Sequence, residues 1–178
     1  MAKVKKKSYC RLCFGRNLIK SIDLGKSPLA NEFLDKKTKL KKYPLVVLRC
    51  KNCNHLQLSH VVDKNILFKN YLFVSGTSLT NIKHFKNYAN ECSKRFLGKN
   101  SKVLDIASND GSFLNNFKKQ YLRVGIDPAK NIVSKLNKKD LKLETKFFDF
   151  FQSKKLKKKY GYFNLITANN VCAHIDNF

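Results

Sequence analysis

Hydrophobic and polar residues follow different patterns in three consecutive parts of the chain. Residues 8–60 are rich in turn-forming residues, as in LGKSPLANEF, and carry two strand patterns, YPLVVLRC and the alternating NHLQLSHVV. A segment this short and this rich in turns cannot rest on a hydrophobic core of its own. We therefore expect residues 1–62 to form a small loop-rich module that needs another source of stability.

A long amphipathic helix is predicted after this module. Apolar residues recur at steps of three and four from Leu79 to Phe96, with Ser78 as the N-cap and Gly98 as the stop. Cys92 lies on this apolar stripe, where we expect it to be a buried small hydrophobic residue. Residues 63–98 are assigned to a helical linker or lid segment.

Strands and helices alternate after Gly98. The four strand patterns are VLDIA, RVGID, LKLETKFF and FNLITAN, and helices are predicted over GSFLNNFKKQY and AKNIVSKLNKK. Successive strand, helix and strand in units of about 30 residues form right-handed crossovers and a parallel sheet. We predict an α/β fold in which residues 99–178 are the first half of a Rossmann-like domain. Because doubly wound sheets normally have more strands, we expect the chain to be truncated.

Composition adds a formal net charge of +25. Of the 37 basic residues, 32 are lysines dispersed along the chain and only 5 are arginines. We interpret this charge mainly as a solvated surface, while a site for nucleic acid stays open as the alternative. No apolar run is long enough to span a membrane, and the N-terminal MAKVKKKS contains no apolar signal segment. We therefore expect a cytoplasmic protein with no membrane partner.

Cysteine spacing predicts a metal site in the N-terminal module. Six cysteines in a chain without secretory features indicate metal or core roles rather than disulfides. Two CxxC pairs supply four thiolate ligands: Cys10, Cys13, Cys50 and Cys53. Four soft ligands in a tetrahedron suit Zn²⁺, with an iron centre of the same ligand set as the competitor. The closed thiolate shell makes the site structural, and neither His55 nor His60 is needed as a ligand.

A cofactor site is predicted where the first strand after Gly98 ends. In VLDIASNDGSFL, Asp105 and Gly111 bracket a loop of small and polar residues that leads into a helix near Ser112. Rossmann-like folds bring their ligand to this loop and to the helix N-terminus. Asp127 ends the next strand 22 residues after Asp105, near the offset at which a carboxylate binds ribose hydroxyls.

The chemistry of this loop favours S-adenosylmethionine (SAM) over a dinucleotide. The loop lacks the GxGxxG pattern that cradles a pyrophosphate, and SAM has no phosphate. Asn109 and Asp110 suit its amino acid end, while Phe148 and Asp149 suit the edge of its adenine. The full candidate set is Asp105, Ala107, Asn109, Asp110, Gly111, Asp127, Phe148, Asp149 and Asn169. Core packing is the alternative role for four phenylalanines, Phe147, Phe148, Phe150 and Phe151.

Motifs from both parts of the chain occur together in one known family. The sugar-nucleotide C-methyltransferases contain, in this order, CRLC, DLGKSPLANEF, YPLVVLRCKNCNHLQL, YLFVSGTS, VLDIASNDGSFL, GIDPA and ANNVCAHIDNF. Over nearly its whole length the chain resembles their N-terminal zinc-binding domain and the first half of their class I methyltransferase domain. The resemblance implies SAM and Zn²⁺ as cofactors and a nucleotide-linked 4-ketodeoxysugar as substrate.

The resemblance also implies a reaction and groups to perform it. Such enzymes remove a proton next to the C4 ketone, and the resulting enolate carbon attacks the methyl group of SAM. His174 matches a histidine of the family's active site, and Tyr71 with residues 75–78 matches a stretch that closes over cofactor and substrate. Phe73 stands where a second tyrosine is usual, which excludes a phenolic role there. Relatives continue into a further Rossmann-like domain, which brings a Glu and His pair implicated in proton abstraction and much of the sugar-nucleotide pocket, so we expect this chain alone to be inactive.

Two other functions are alternatives at this stage. One is a zinc-ribbon RNA methyltransferase, whose lysines would grip the phosphate backbone. Against it, the sequence has little arginine and no evident basic run interleaved with aromatic residues. The other is a zinc-stabilised binding module without catalysis.

Overall fold

The computed structural model describes residues 4–30, 36, 39–134 and 140–176. The chain divides into two compact units, Met1–Phe68 and Lys69–Phe178. Across these ranges, no helix combines the length and the apolar character that crossing a membrane requires. The predicted boundaries at residues 62 and 98 stay a prediction.

The described residues of the first unit form two small antiparallel sheets and one short helix. Its elements are β1 (Val4–Lys6), β2 (Leu18–Ser27), β3 (Tyr43–Cys50), β4 (Leu56–Leu58), β5 (His60–Val62) and α1 (Lys64–Phe68). Strands β2, β3 and β4 form one sheet in that order, and β1 pairs with β5 in the other. The strand predicted over YPLVVLRC is confirmed as β3.

Two predictions for this unit need correction. NHLQLSHVV is two strands in different sheets, because the Ser59 N–H bonds the Val46 carbonyl at 2.8 Å while the Ser59 carbonyl accepts the Lys7 N–H at 2.8 Å. Part of the turn predicted over LGKSPLANEF is the end of β2. There the Asp23 side chain accepts the N–H of Gly25, whose φ is +74°, so the turn-forming residues make a bulge inside a strand pair. Residues 31–33 of that stretch lie outside the described residues.

The second unit contains a parallel sheet with helices. Its elements are α2 (Leu79–Phe96), β6 (Lys102–Ile106), β7 (Leu122–Ile126), α3 (Lys130–Val133), β8 (Lys142–Glu144), α4 (Phe150–Tyr160) and β9 (Leu165–Thr167). Short 3₁₀ turns cover Ser75–Thr77, Leu114–Asn116 and Cys172–His174. The four predicted strands and their parallel pairing are confirmed, although β8 and β9 are shorter than their patterns.

The strand order of this sheet locates the place where ligands bind. The order is β8, β7, β6, β9, so the chain runs outward from β6 to β8 and then returns to the other side of β6. Ligands of open α/β sheets bind where the strand order reverses, outside the carboxyl ends of the strands. In this unit that point lies between β6 and β9.

Helix α2 is confirmed, with its predicted cap. The Ser78 side chain accepts the Asn81 N–H, and Cys92 is buried in the core as expected. Only the middle of the predicted stripe is buried, however, since Leu79 and Phe96 at the two ends are 84% and 59% exposed.

The helix predicted over GSFLNNFKKQY is wrong. Only the 3₁₀ turn Leu114–Asn116 forms, and Phe117 is extended. The Asn116 side chain donates to the carbonyls of Ser112 and Phe113, which competes with the helical bonding of those groups. The cofactor loop therefore does not lead into an α-helix at this point. Of the helix predicted over AKNIVSKLNKK, α3 is its start, and residues 135–139 lie outside the described residues.

Candidate metal and cofactor sites

The first unit gathers the four predicted zinc ligands. The Sγ atoms of Cys10, Cys13, Cys50 and Cys53 all lie within 4.8 Å of one another. Cys10 and Cys50 are fully buried, and the pairs Cys10–Cys53 and Cys13–Cys50 are 3.7 and 3.6 Å apart. Four thiols that converge on one point are the donor set of a structural zinc site, so the residues fit this metal.

Both CxxC turns are built in the same way. The N–H of Phe14 bonds the Cys10 carbonyl, and the N–H of Asn54 bonds the Cys50 carbonyl, each at 2.9 Å. Phe14 and Asn54 both have a φ of +60°, a left-handed conformation that non-glycine residues rarely adopt. Each tight turn holds the two sulfurs of its pair on one side, ready for a shared ion.

Electrostatics at the first turn favour a thiolate. Burial alone would raise the pKa of Cys10, but the backbone N–H groups of Cys13 and Leu12, with the thiols of Cys53 and Cys13, outweigh it and lower that pKa to about 7, while the neighbouring thiols raise the pKa of Cys53. A thiol that ionises near neutral pH is ready to bind a cation.

A buried glutamine also braces this turn. The Gln57 carboxamide accepts the Arg11 N–H at 2.8 Å and donates to the Tyr9 carbonyl at 3.0 Å. Sequence reasoning missed Gln57, because a glutamine in an alternating strand pattern gives no sign of which backbone it will contact.

In the second unit, Asp105 lies where the strand order reverses. It is the fourth residue of β6 and is 4% exposed, and its Oδ1 accepts a 2.7 Å hydrogen bond from the Thr167 hydroxyl at the end of β9. Burial raises the pKa of Asp105 to about 7, the nearby charge of Asp127 acts in the same direction, and the bond from Thr167 opposes both. The sequence did not point to Thr167 as a partner, since only the pairing of β6 with β9 brings the two together.

Asp127 follows β7 and anchors two backbone segments. Its Oδ2 accepts the Asn109 N–H at 2.9 Å, and its Oδ1 accepts the Ala129 N–H at 2.8 Å. Burial raises its pKa, and these two bonds oppose that rise. Each carboxylate oxygen keeps a further lone pair, which fits the acceptor that ribose hydroxyls require.

The loop between β6 and the 3₁₀ turn is sharply curved. Ala107, Asn109 and Gly111 all have positive φ values, of 59°, 51° and 68°. Side chains favour this conformation poorly, and such local strain is found where backbone closely approaches a ligand. The Ser108 hydroxyl is buried without a hydrogen-bond partner among the described residues, packed against Gly125, where an added Cβ would overlap it.

Asn109 and Asp110 hold another part of the chain. The Asn109 carboxamide donates to the Phe73 carbonyl at 3.0 Å and accepts the Ser75 N–H at 2.9 Å. The Asp110 carboxylate accepts the Gly76 N–H at 3.2 Å and the Ser112 hydroxyl at 2.5 Å. The structure thus joins Asp127, Asn109 and Asp110 to the stretch that contains Tyr71 by hydrogen bonds, with the Asp105 carboxylate near that of Asp127.

The remaining predicted cofactor residues lie further along the same edge. Phe148 packs against the apolar cluster on β6 and β7, and Asp149 caps α4 by accepting the Gln152 N–H at 2.9 Å. Asn169 is exposed just after β9. Core packing is wrong for Phe150 and Phe151, which are 59% and 75% exposed on the first turn of α4.

The two predicted catalytic residues differ in how they are held. His174 is exposed in the 3₁₀ turn Cys172–His174 that follows β9. Tyr71 is half-buried, and its backbone N–H and carbonyl bond the Asn131 side chain at 3.1 and 2.8 Å. Asn131 was not predicted, because nothing in the pattern of α3 distinguishes it from a solvated asparagine.

Known protein families match both parts of the chain. A family profile for a zinc binding domain matches residues 10–68, and one for a methyltransferase domain matches residues 82–178, which is more than half of the chain. The chain belongs to the methyltransferase domain family. The sheet order, the acidic ends of β6 and β7 and the curved loop are the parts of this methyltransferase domain that the structure describes. SAM is the cofactor of this methyltransferase domain, and zinc is the metal of the four-cysteine site.

One curated relative is similar along most of the chain. The C-methyltransferase NovU of Streptomyces niveus is 27% identical over 171 residues, which cover 93% of this chain and 41% of the relative. The chain therefore spans about two fifths of the length of that protein.

Proposed function

We propose that this chain provides the zinc-binding and cofactor-binding part of a SAM-dependent C-methyltransferase that acts on a nucleotide-linked 4-ketodeoxysugar. The observation that carries the proposal is the combination of a four-thiol site with the buried carboxylates Asp105 and Asp127 at the carboxyl edge of β6 and β7. Similarity to a C-methyltransferase over 93% of the chain supports carbon as the methylated atom.

SAM would lie against the curved loop after β6. Asp127 would accept the ribose hydroxyls, and the backbone of Ala107 to Gly111 would approach the amino acid end of the cofactor. Phe148 and Asp149 would border the adenine, with Asn169 at the far side of the same edge. When bound, SAM supplies an electrophilic methyl group.

Residues of this chain would prepare the carbon that receives the methyl group. We assign to the imidazole of His174, which is exposed and follows β9 at the ligand edge, a part in removing the proton next to the sugar ketone, together with the Glu and His pair that the resemblance implies in a further domain. Tyr71 would place its phenol over the substrate and help to exclude water. The zinc site would take no part in this chemistry, because four thiolates leave no open coordination position.

The test is a methyl-transfer assay. The protein, with any flanking sequence that its gene encodes, is incubated with SAM labelled in the methyl group and a panel of nucleotide-linked 4-ketosugars. We expect label at a sugar carbon with at least one of them, and loss of that label in His174→Ala. His84→Ala is the matched control, since His84 is an exposed histidine of α2 to which no role at this edge is assigned. Transfer of the label to no sugar in the panel would contradict the proposal.

A second candidate function, RNA methylation, gains support from α4. Its solvent face joins the exposed Phe150 and Phe151 rings to a basic run, and the Lys154 ammonium lies 4.4 Å from the centre of the Phe150 ring. Lysines next to exposed rings are typical of surfaces that bind single-stranded nucleic acid. Binding to a single-stranded RNA that persists at physiological salt and falls steeply with added salt would favour this function over the sugar substrate.

A further inference from the structure

Residues 71–77, which we call the strap, run beside the cofactor loop without pairing with any strand that the structure describes. Side chains instead bond the backbone groups of Tyr71, Phe73, Ser75 and Gly76. The Asn131 carboxamide accepts the Tyr71 N–H at 3.1 Å and donates to the Tyr71 carbonyl at 2.8 Å. The Asn109 carboxamide donates to the Phe73 carbonyl at 3.0 Å and accepts the Ser75 N–H at 2.9 Å.

Each carboxamide acts as a substitute for the edge of a neighbouring strand. A primary amide both accepts and donates, so one side chain can satisfy an N–H and a carbonyl of extended backbone at once. Asp110 adds a third attachment through the Gly76 N–H, at 3.2 Å. A Cβ at Gly76 would overlap Asp110 and Ser112, so the strap can approach this closely only with a glycine there.

Both carboxamides are oriented by the same carboxylate. The Asn109 N–H bonds Asp127 directly, and the Ala129 N–H bonds the other oxygen of Asp127 at the start of α3, which carries Asn131. Asp127, which we assign to the cofactor ribose, therefore also sets the position of both carboxamides.

We propose that Asn131 is a positioning residue that, together with Asn109, fixes the strap in one register and so places Tyr71 at the cofactor edge. This inference rests on the proposed function for its catalytic consequence but on the hydrogen bonds alone for its structural one. Asn131 acts through the backbone of Tyr71 rather than by touching the substrate.

Amide hydrogen exchange of the zinc-loaded 178-residue chain tests the structural part. We expect Asn131→Ala to speed exchange of the Tyr71 amide about tenfold and to leave the amides of β6 and β7 unchanged. Asn131→Asp keeps the acceptor for the Tyr71 N–H but loses the donor, so it should restore most of that protection. Asn115→Ala, an exposed asparagine of the same unit, should change nothing. Unchanged exchange at Tyr71 in Asn131→Ala, or faster exchange spread equally over β6 and β7, would overturn the inference.

Steady-state kinetics test the catalytic part. In the methyl-transfer assay, Asn131→Ala should lower kcat about tenfold while the KM for SAM changes by less than about threefold, since the lost contact orders a group beside the reaction rather than the cofactor. An unchanged kcat would overturn the positioning role. If the unaltered protein transfers no methyl group, the proposed function fails, while the exchange result still decides whether Asn131 fixes the strap.

Discussion

In the first unit the buried hydrophobic side chains among the described residues are Cys10, Tyr43 and Cys50, whereas the second unit has two apolar clusters. One cluster joins α2 to the sheet through residues such as Val103 and Leu114, and the other lies under α4 around Leu156. A unit whose buried apolar side chains are chiefly metal ligands depends on the metal to fold, while a unit with two apolar clusters depends on packing. The difference separates a scaffold from the part that holds the chemistry.

Removing zinc should have the largest effect and should be confined to the first unit. Structural zinc contributes about 10 to 16 kcal/mol of apparent binding free energy in small zinc-folded domains. A strong chelator, or Cys50→Ser, should therefore unfold residues 4–68 and leave the second unit folded. Amide hydrogen exchange reports on both units in one sample, because β3 belongs to the first unit and β6 to the second.

The control for this prediction is Cys172→Ser, because Cys172 is exposed and lies outside the four-thiol cluster. If the β3 amides stay protected from hydrogen exchange after complete loss of zinc, the first unit does not depend on the metal to fold.

Opening a cavity in the second unit should destabilise that unit and leave the zinc site of the first unit intact. Leu114 is fully buried in the cluster beneath α2, and Leu114→Ala should cost about 2 to 5 kcal/mol of unfolding free energy of that unit. Zinc content should stay at one ion per chain. Ile166→Ala, at a side chain that is 57% exposed, is the matched control and should cost far less. An equal loss in both variants would show that the cluster does not carry the stability of this unit.

The stability of the second unit should also fall as the pH rises. The pKa of Asp105 is raised in the folded state from its model-peptide value of 3.8 to about 7, so the folded state binds more protons than the unfolded state between these values. By linkage this unit loses stability from about pH 4 to pH 7.

Asp105→Asn keeps an acceptor for the Thr167 hydroxyl and removes the buried charge. It should stabilise the second unit at pH 8 by about 1 to 2 kcal/mol and flatten its pH dependence. Exchange at β6 and β7 amides is the measurement, because acid also releases zinc from the first unit. A variant as dependent on pH as the parent would refute the assignment to Asp105.

Loss of the N-cap of α4 should change the unfolding free energy least among these variants. Asp149 accepts the Gln152 N–H at the start of α4, and Asp149→Ala should cost about 1 kcal/mol of unfolding free energy in the second unit alone. Asp149→Ser retains a capping oxygen and should recover most of it. Thermal denaturation of the zinc-loaded protein compares the three, and an Asp149→Ser as unstable as the alanine variant would mean that capping is not the cause.

The elements that sequence predicts well are those set by short-range pattern. The CxxC spacing identified all four thiols, and the apolar runs of β6 and β7 located Asp105 and Asp127 at the carboxyl ends of neighbouring strands. These signals are local, since the CxxC spacing and the apolar runs can be recognised within a few consecutive residues.

The errors lie where side chains compete for backbone groups. The Asn116 amide bonds carbonyls that a helix would have used, and Asp23 with Gly25 turned an expected loop into a bulge. The hydrogen bonds that hold the strap join residues that are 34 to 60 positions apart in sequence, such as Tyr71 and Asn131. Apolar periodicity carries no information on such pairs, so the residues that order the candidate site become visible only in the fold.

Calorimetric titration of SAM into the zinc-loaded chain tests the central claim, that the edge around Asp105 and Asp127 is a SAM site. We predict one SAM per chain, with binding strongly weakened in Asp127→Asn and unchanged in the exposed control Asp140→Asn. Absence of SAM binding, or equal affinity in all three proteins, would contradict the account.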